Sequence, residues 1–312
     1  MKRNGAIANS RTLSEREGRM FFFFILPGLI LVTVFAYLPL WGWVYAFTDY
    51  KPGLQLSQCN FLGLENFTRL FSNPVLIRQF KSVMLNTVVM VALGQTSGLL
   101  SMGFAIFLNE MRSKTYRRVV QTITTLPHFI SWVIVYAMMF SMFSTNGFVN
   151  NILVSTGLVA EPVNFLATPD GTWVKMYLIG LWKGLGWSAI VYLAAIAGID
   201  QEQYEAAMLD GAGRLQRILH VTIPGLLPTY FVLLIMSLGN FFNTGMEQYF
   251  VFQNAMNKEY IQVLDLYVYN QGIGTGNVPN ATAVGIMKSV VALAMFSGAN
   301  ALSKAVRGSS VF

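Results

Sequence analysis

Glu205–Ala206–Ala207–Met208–Leu209–Asp210–Gly211–Ala212, with Ile218, Pro224 and Pro228 after it, is a polar island between two strongly apolar runs. Glu205 and the two alanines open a helical segment. Gly211 and Gly213 then leave one flank without side-chain bulk, so another protein's backbone can come close. The block reads as a helix built to be held by something else. What holds it depends on which side of a membrane it faces, and the rest of the chain decides that.

Hydrophobic residues make up 54% of the 312 and charged residues only 11%, and mean hydropathy is +0.51. A soluble domain carries about 25% charged residues. The apolar residues come in blocks separated by short polar segments, the pattern of a polytopic helical membrane protein. No stretch is both basic and surface-like, so the net charge of +7 bears on sidedness and does not imply a nucleic-acid partner. One cysteine, Cys59, excludes an intrachain disulfide framework and a cysteine-based zinc site. His128 and His220 are too few and too far apart to suggest a metal. Gln271–Asn277 carries three spaced glycines but no lysine–serine/threonine pair, so it is not a phosphate loop.

The fold class expected is all-α and polytopic. Residues 1–20 form a polar tail and 21–312 a membrane domain. Six spans fall near 21–47, 83–108, 119–143, 173–199, 224–251 and 281–305, with the polar block at 200–222. The first apolar stretch is too long for a cleaved signal peptide and is read as a retained span. Pro127–His128 predicts a kink in span three, Gly239–Gly245 an interruption in span five, and 252–280 a loop of mixed polarity. Six spans put both termini on one side. Segments 1–20, 109–118, 200–222 and 303–312 carry thirteen lysines and arginines, against five in the loops of the other face. That excess places the termini and the polar block in the cytoplasm of a bacterial inner membrane.

With that placement, Glu205–Ala206–Ala207, Asp210–Gly211–Ala212, Ile223–Pro224 and Pro228 resemble the cytoplasmic loop signature of importer-type ABC transporter permeases. Ile218 stands where phenylalanine is frequent, and Ile223 where leucine usually precedes proline. Leu26–Pro27, Asn60–Phe67 and Asn86–Thr87 are similar to the carbohydrate branch, and within it to oligosaccharide and polysaccharide permeases such as those of alginate importers. The resemblance implies the type I importer permease fold and a second, homologous permease. It also implies two ATPase subunits that bind ATP and magnesium, and an extracytoplasmic solute-binding protein. The chain itself would be non-catalytic and hold no cofactor. Glu205, Ala206, Ala207, Asp210, Gly211, Ala212, Ile218 and Pro224 would form the coupling region seated on the ATPase. An importer of a non-sugar solute and an ion-coupled secondary transporter are the alternatives.

Polar groups inside spans are the candidates for a cargo path, because contact with lipid is costly for them. Lys183 lies mid-span in Trp182–Lys183–Gly184–Leu185–Gly186–Trp187. Two readings stand for it: a lysine satisfied internally by an acid or helix carbonyls, or a path cation beside Trp182 or Trp187, whose rings suit sugar faces. Lys288 in span six either snorkels outward or faces the cavity, with Glu247 as the nearest acid. Two path-facing lysines would favour an acidic polymer. Asn240, Asn243 and Thr244 offer hydrogen bonds to cargo or between helices. His128, Asn86 and Thr87 are read as packing and hydrogen-bonding groups.

Overall fold

The computed structural model describes residues 3–307, with side chains described for 17–298. Six helical segments are long and apolar enough to cross a membrane: Glu17–Phe47, Pro74–Asn109, Trp132–Ser155, Thr172–Ala197, Arg214–Gly239 and Val278–Gly298. They are called spans one to six, and the helix Lys114–Thr125 and turn Leu126–Phe129 that lead into Trp132 are counted with span three. Among the described residues the only β feature is an isolated bridge between Thr48 and Phe61.

Local chemistry sets where these helices start and break. Span two begins nine residues before its expected start, because Asn73 caps it, accepting from the Val75 and Leu76 amides, and Pro74 fills the first turn. At Pro127 span three does more than kink. A helix Lys114–Thr125 stops, a 3-10 turn covers Leu126–Phe129, and a new helix starts at Trp132, capped by Ser131. Proline removes the amide that would continue the first helix. In span one the α-helix gives way to a π turn at Thr33–Tyr37 and a 3-10 stretch Leu38–Phe47.

Span two packs along span four at the centre of the bundle, and span five lies against both. Hydrocarbon supplies no hydrophobic drive between helices, so shape and hydrogen bonds hold them together. Gly186 shows the fit: a Cβ there would lie 2.3 Å from the Thr124 carbonyl oxygen, so only glycine lets span four meet that backbone. One core cluster joins Met90, Val135, Met176 and Tyr249. A second, near the polar block, joins Met102, Ala189, Tyr192 and Leu226.

The segment 252–280 is not a loop. It holds helices Lys258–Ile261 and Leu264–Tyr269 and a π turn Asn270–Gly274. Ile261, Val263, Leu264, Leu266 and Tyr267 are fully buried. Asn86 and Thr87 hold this segment in place. The Asn86 amide donates to the Glu259 and Gln262 carbonyls at 2.7 and 3.1 Å, and Thr87 Oγ1 accepts from the Leu264 amide. Its buried backbone is therefore satisfied.

After span one, Asp49 closes a small ring. Its carboxylate accepts from the Asn60 amide and side chain, and these bonds hold its carboxyl below the ordinary carboxylate value. Asn66 is buried beneath it and donates to the Ala46 and Thr48 carbonyls.

Candidate functional site

The polar block is a helix Gln201–Leu209 capped by Asp200, whose side chain accepts from the Glu202 amide. The helix starts four residues before Glu205, so Glu205, Ala206 and Ala207 sit in its middle and do not open it. Nor do the glycines thin its flank. Gly211 lies just past its end with φ +78°, a left-handed turn that favours glycine. Gly213 caps the next helix, Arg214–Arg217, which runs through a π turn Ile218–Thr222 into Ile223–Gly239. The block is thus a short helix, a sharp turn, and the root of span five. Tyr204 Oη meets Thr222 Oγ1 at 3.0 Å and folds the short helix back on that root.

Glu205, Ala206, Asp210 and Gly211 are exposed, while Ala207 and Ala212 are half-buried. Ile218 packs on the Leu226 cluster as part of the span-five root, and Pro224 lies on that helix too. The sequence reading passed over the apolar residues of the tip. Leu209 is 90% exposed, and Met208 and Leu215 are exposed beside it. These three apolar side chains stand bare at or just past the end of a charged helix, outside the apolar runs. The signal of the first two was present in the sequence, as Met208–Leu209 between Glu205 and Asp210.

A groove runs between spans two, four and five. Its outer cavity, about 280 Å³, is lined by Gln95, Tyr177, Asn240, Asn243, Thr244 and Gln248 among others. A second cavity, about 330 Å³, shares Gly94, Gln95, Ser97 and Ser237 with it and continues past Trp187, Tyr192 and Tyr230 towards the polar block. The break in span five builds the outer cavity. Its helix ends at Gly239, Gly245 turns the chain with φ +77°, and helix Met246–Phe252 resumes. Asn243 donates to the Asn240 side-chain oxygen, Ser237 Oγ to Gln95 at 2.6 Å, and Thr96 meets Tyr177 Oη at 2.6 Å. The residues lining this groove carry hydroxyls and amides and no formal charge.

Asn240, Asn243 and Thr244 come together here, but Lys183, Trp182 and Lys288 do not join them. Lys183 is buried on the side of span three. Its ammonium donates to the His128 carbonyl at 2.6 Å, which the extended Ile130–Ser131 link leaves without a helical donor, and lies 5.2 Å from the Trp132 ring. Trp182 is exposed away from the groove. Trp187 lines the inner cavity, with one face stacked on His128 at 4.5 Å. Lys288 pairs with Asp265, not with the expected Glu247, and both side chains are under one-fifth exposed. Asp265 also accepts from the Thr244 amide at 3.1 Å, which ties the span-five break to span six. The pair edges a separate cavity of about 520 Å³ between spans five and six.

Residues 97–308 match the family model described as binding-protein-dependent transport system inner membrane component. Protein LplB of Bacillus subtilis is 37% identical, over 93% of this chain and 90% of its own length. The polygalacturonan/rhamnogalacturonan transport system permease protein YteP of the same organism is 38% identical, over 92% and 88%. A chain in the crystal structure of a bacterial ABC transporter involved in the import of the acidic polysaccharide alginate superposes with a TM-score of 0.84. It is 33% identical, over 95% of this chain and 99% of that one. Six apolar spans, a polar block before span five and these matches have one meaning: the chain belongs to the binding-protein-dependent transport system inner membrane components, the permease subunits of ABC importers.

Proposed function

We propose that this chain forms one half of the translocation path of an ATP-driven carbohydrate importer in a bacterial inner membrane. Its cargo is an oligosaccharide or polysaccharide of the acidic class, such as alginate. Sugar polymers offer hydroxyls along their whole length, and a groove walled by Gln95, Tyr177, Asn240, Asn243 and Gln248 answers them with neutral donors and acceptors. The relatives named for polygalacturonan and alginate support the acidic class. The groove is open on one side, and a second, homologous permease closes it. An extracytoplasmic binding protein delivers the cargo, and both termini lie in the cytoplasm.

The coupling region is the helix Gln201–Leu209 and its turn, seated in a separate ATPase subunit that binds ATP and magnesium; the chain itself is non-catalytic. The observation that carries this is Leu209, 90% exposed at the tip of a charged helix. The helix is covalently continuous with spans four and five, two of the three groove walls, so its displacement tilts them.

Replacing Glu205 by Ala, or Gly211 by Val, leaves cargo binding to the extracytoplasmic protein intact. Transport and binding-protein-stimulated ATP hydrolysis by the reconstituted complex fall by about fivefold or more, the usual cost of one anchoring interface contact. Normal coupled activity in both variants would overturn the assignment.

A further inference from the structure

Span two forms the third wall of the groove, yet its chain runs from Asn109 into the helix Lys114–Thr125 and never enters the polar block. One ion pair joins the two. Glu110, the residue that caps the end of span two, pairs with Arg214, the first residue of the helix that becomes span five. Both charges stand at the helix end that disfavours them. A carboxylate meets the negative C-terminal pole of span two, and a guanidinium meets the positive N-terminal pole of span five's root. Neither placement helps its own helix, but the two suit each other. Further along the same two spans, Ser237 of span five donates to Gln95 of span two in the wall of the groove.

We infer that Glu110 and Arg214 are positioning residues that tie span two to the root of span five. Displacement of the helix Gln201–Leu209 then reaches all three groove walls together. The inference rests on the reading of that helix as the ATPase seat. Gly211 and the Gly213 cap form a bend between the short helix and Arg214. Motion of the short helix is therefore passed on at Arg214. Without the tie, span five is pulled and span two is left to follow through side-chain packing and the distant Ser237–Gln95 hydrogen bond.

The pair is part-exposed, with Arg214 at 51% and Glu110 at 27%, so its loss leaves the fold intact. The test uses the assembled complex, with Cys59 replaced by serine and spin labels at Arg112 and Leu219, both exposed and outside the pair. The distance between the labels is measured without nucleotide and with ATP, magnesium and vanadate. The tie predicts one separation in both states for the parent. In Glu110→Gln or Arg214→Gln the separation shifts on nucleotide binding by about 5 Å, one helical turn. Stimulated hydrolysis falls about threefold, the scale of a part-exposed ion pair. The exchanged pair Glu110→Arg with Arg214→Glu restores the invariant separation, which a residue needed only for folding would not do. A parent separation that changes with nucleotide, or single variants as invariant as the parent, would overturn the tie. Failure of the ATPase-seat reading shows separately, as normal stimulated hydrolysis in Glu205→Ala.

Discussion

Lys183, midway along span four, and Lys288, in span six, are each already satisfied. Lys183 donates to the His128 carbonyl, left without a helical donor at the break before Trp132, and Lys288 has Asp265. Substitution Lys183→Gln should therefore change transport of uronate and neutral oligosaccharides by the same factor. A selective loss of the acidic cargo would put that ammonium back in the path. Removing one member of a half-buried pair leaves an unpaired charge, so Asp265→Asn should destabilise the folded chain by about 1–3 kcal/mol. Asp265→Asn with Lys288→Gln should recover part of that loss, read as thermal stability in detergent. A double variant as unstable as the single would show that the pair is not what Asp265 serves. Asp49 makes a pH-dependent statement. Its carboxyl is held below the ordinary 3.8, so the ring it closes is stabilised above that value. That support is lost as pH falls through the lowered one. Hydrogen exchange at the Asn60 amide should accordingly stay protected at pH 3.8 and open only in stronger acid. Opening at or above pH 3.8 would contradict the bond pattern.

At the level of elements, apolar blocks and proline positions were legible because they report local rules: hydrocarbon requires runs of apolar residues, and proline cannot continue a helix. The break in span five was legible in Gly239–Gly245 for the same reason. The segment 252–280 was not. Its buried Ile261, Leu264 and Tyr267 alternate with Gln262, Asp265 and Asn270, whose polar groups meet partners from distant elements. A composition reading sees polar residues and infers a loop. Asn86 donates to the Gln262 carbonyl, Thr87 accepts from the Leu264 amide and Lys288 pairs with Asp265, contacts that no local pattern reveals. One clue was available: a lysine deep in span six requires a carboxylate, and Asp265 is close in sequence. Packing between elements was equally hidden. Gly186 reads as a small residue on a helix, yet a methyl there meets the Thr124 backbone. Gly186→Ala should cost about 1–3 kcal/mol as overpacking and lower the yield of assembled complex. Gly184→Ala, with open space at its Cβ, should be neutral. Equal yields for the two would contradict the packing of span four on span three.

Taken as a whole molecule, the permease divides, on the reading proposed above, into a groove for cargo and a helix that receives force, joined by spans four and five and, through Glu110–Arg214, by span two. The polar block was legible as a helix, but its boundaries were not. The sequence placed Glu205 at its start, whereas Asp200 caps it and Glu205 lies mid-helix. The bare tip is what supports the proposed seat, and exposure is a property of the folded surface that composition does not show. A benzoylphenylalanine placed at Leu209 in the full complex, irradiated in membranes, should form an adduct with the ATPase subunit. ATP should change its yield, while the same probe at Phe61, on the opposite end of the bundle, gives none. An adduct at Leu209 with the extracytoplasmic binding protein or with lipid, and none with the ATPase, would contradict the proposed seat.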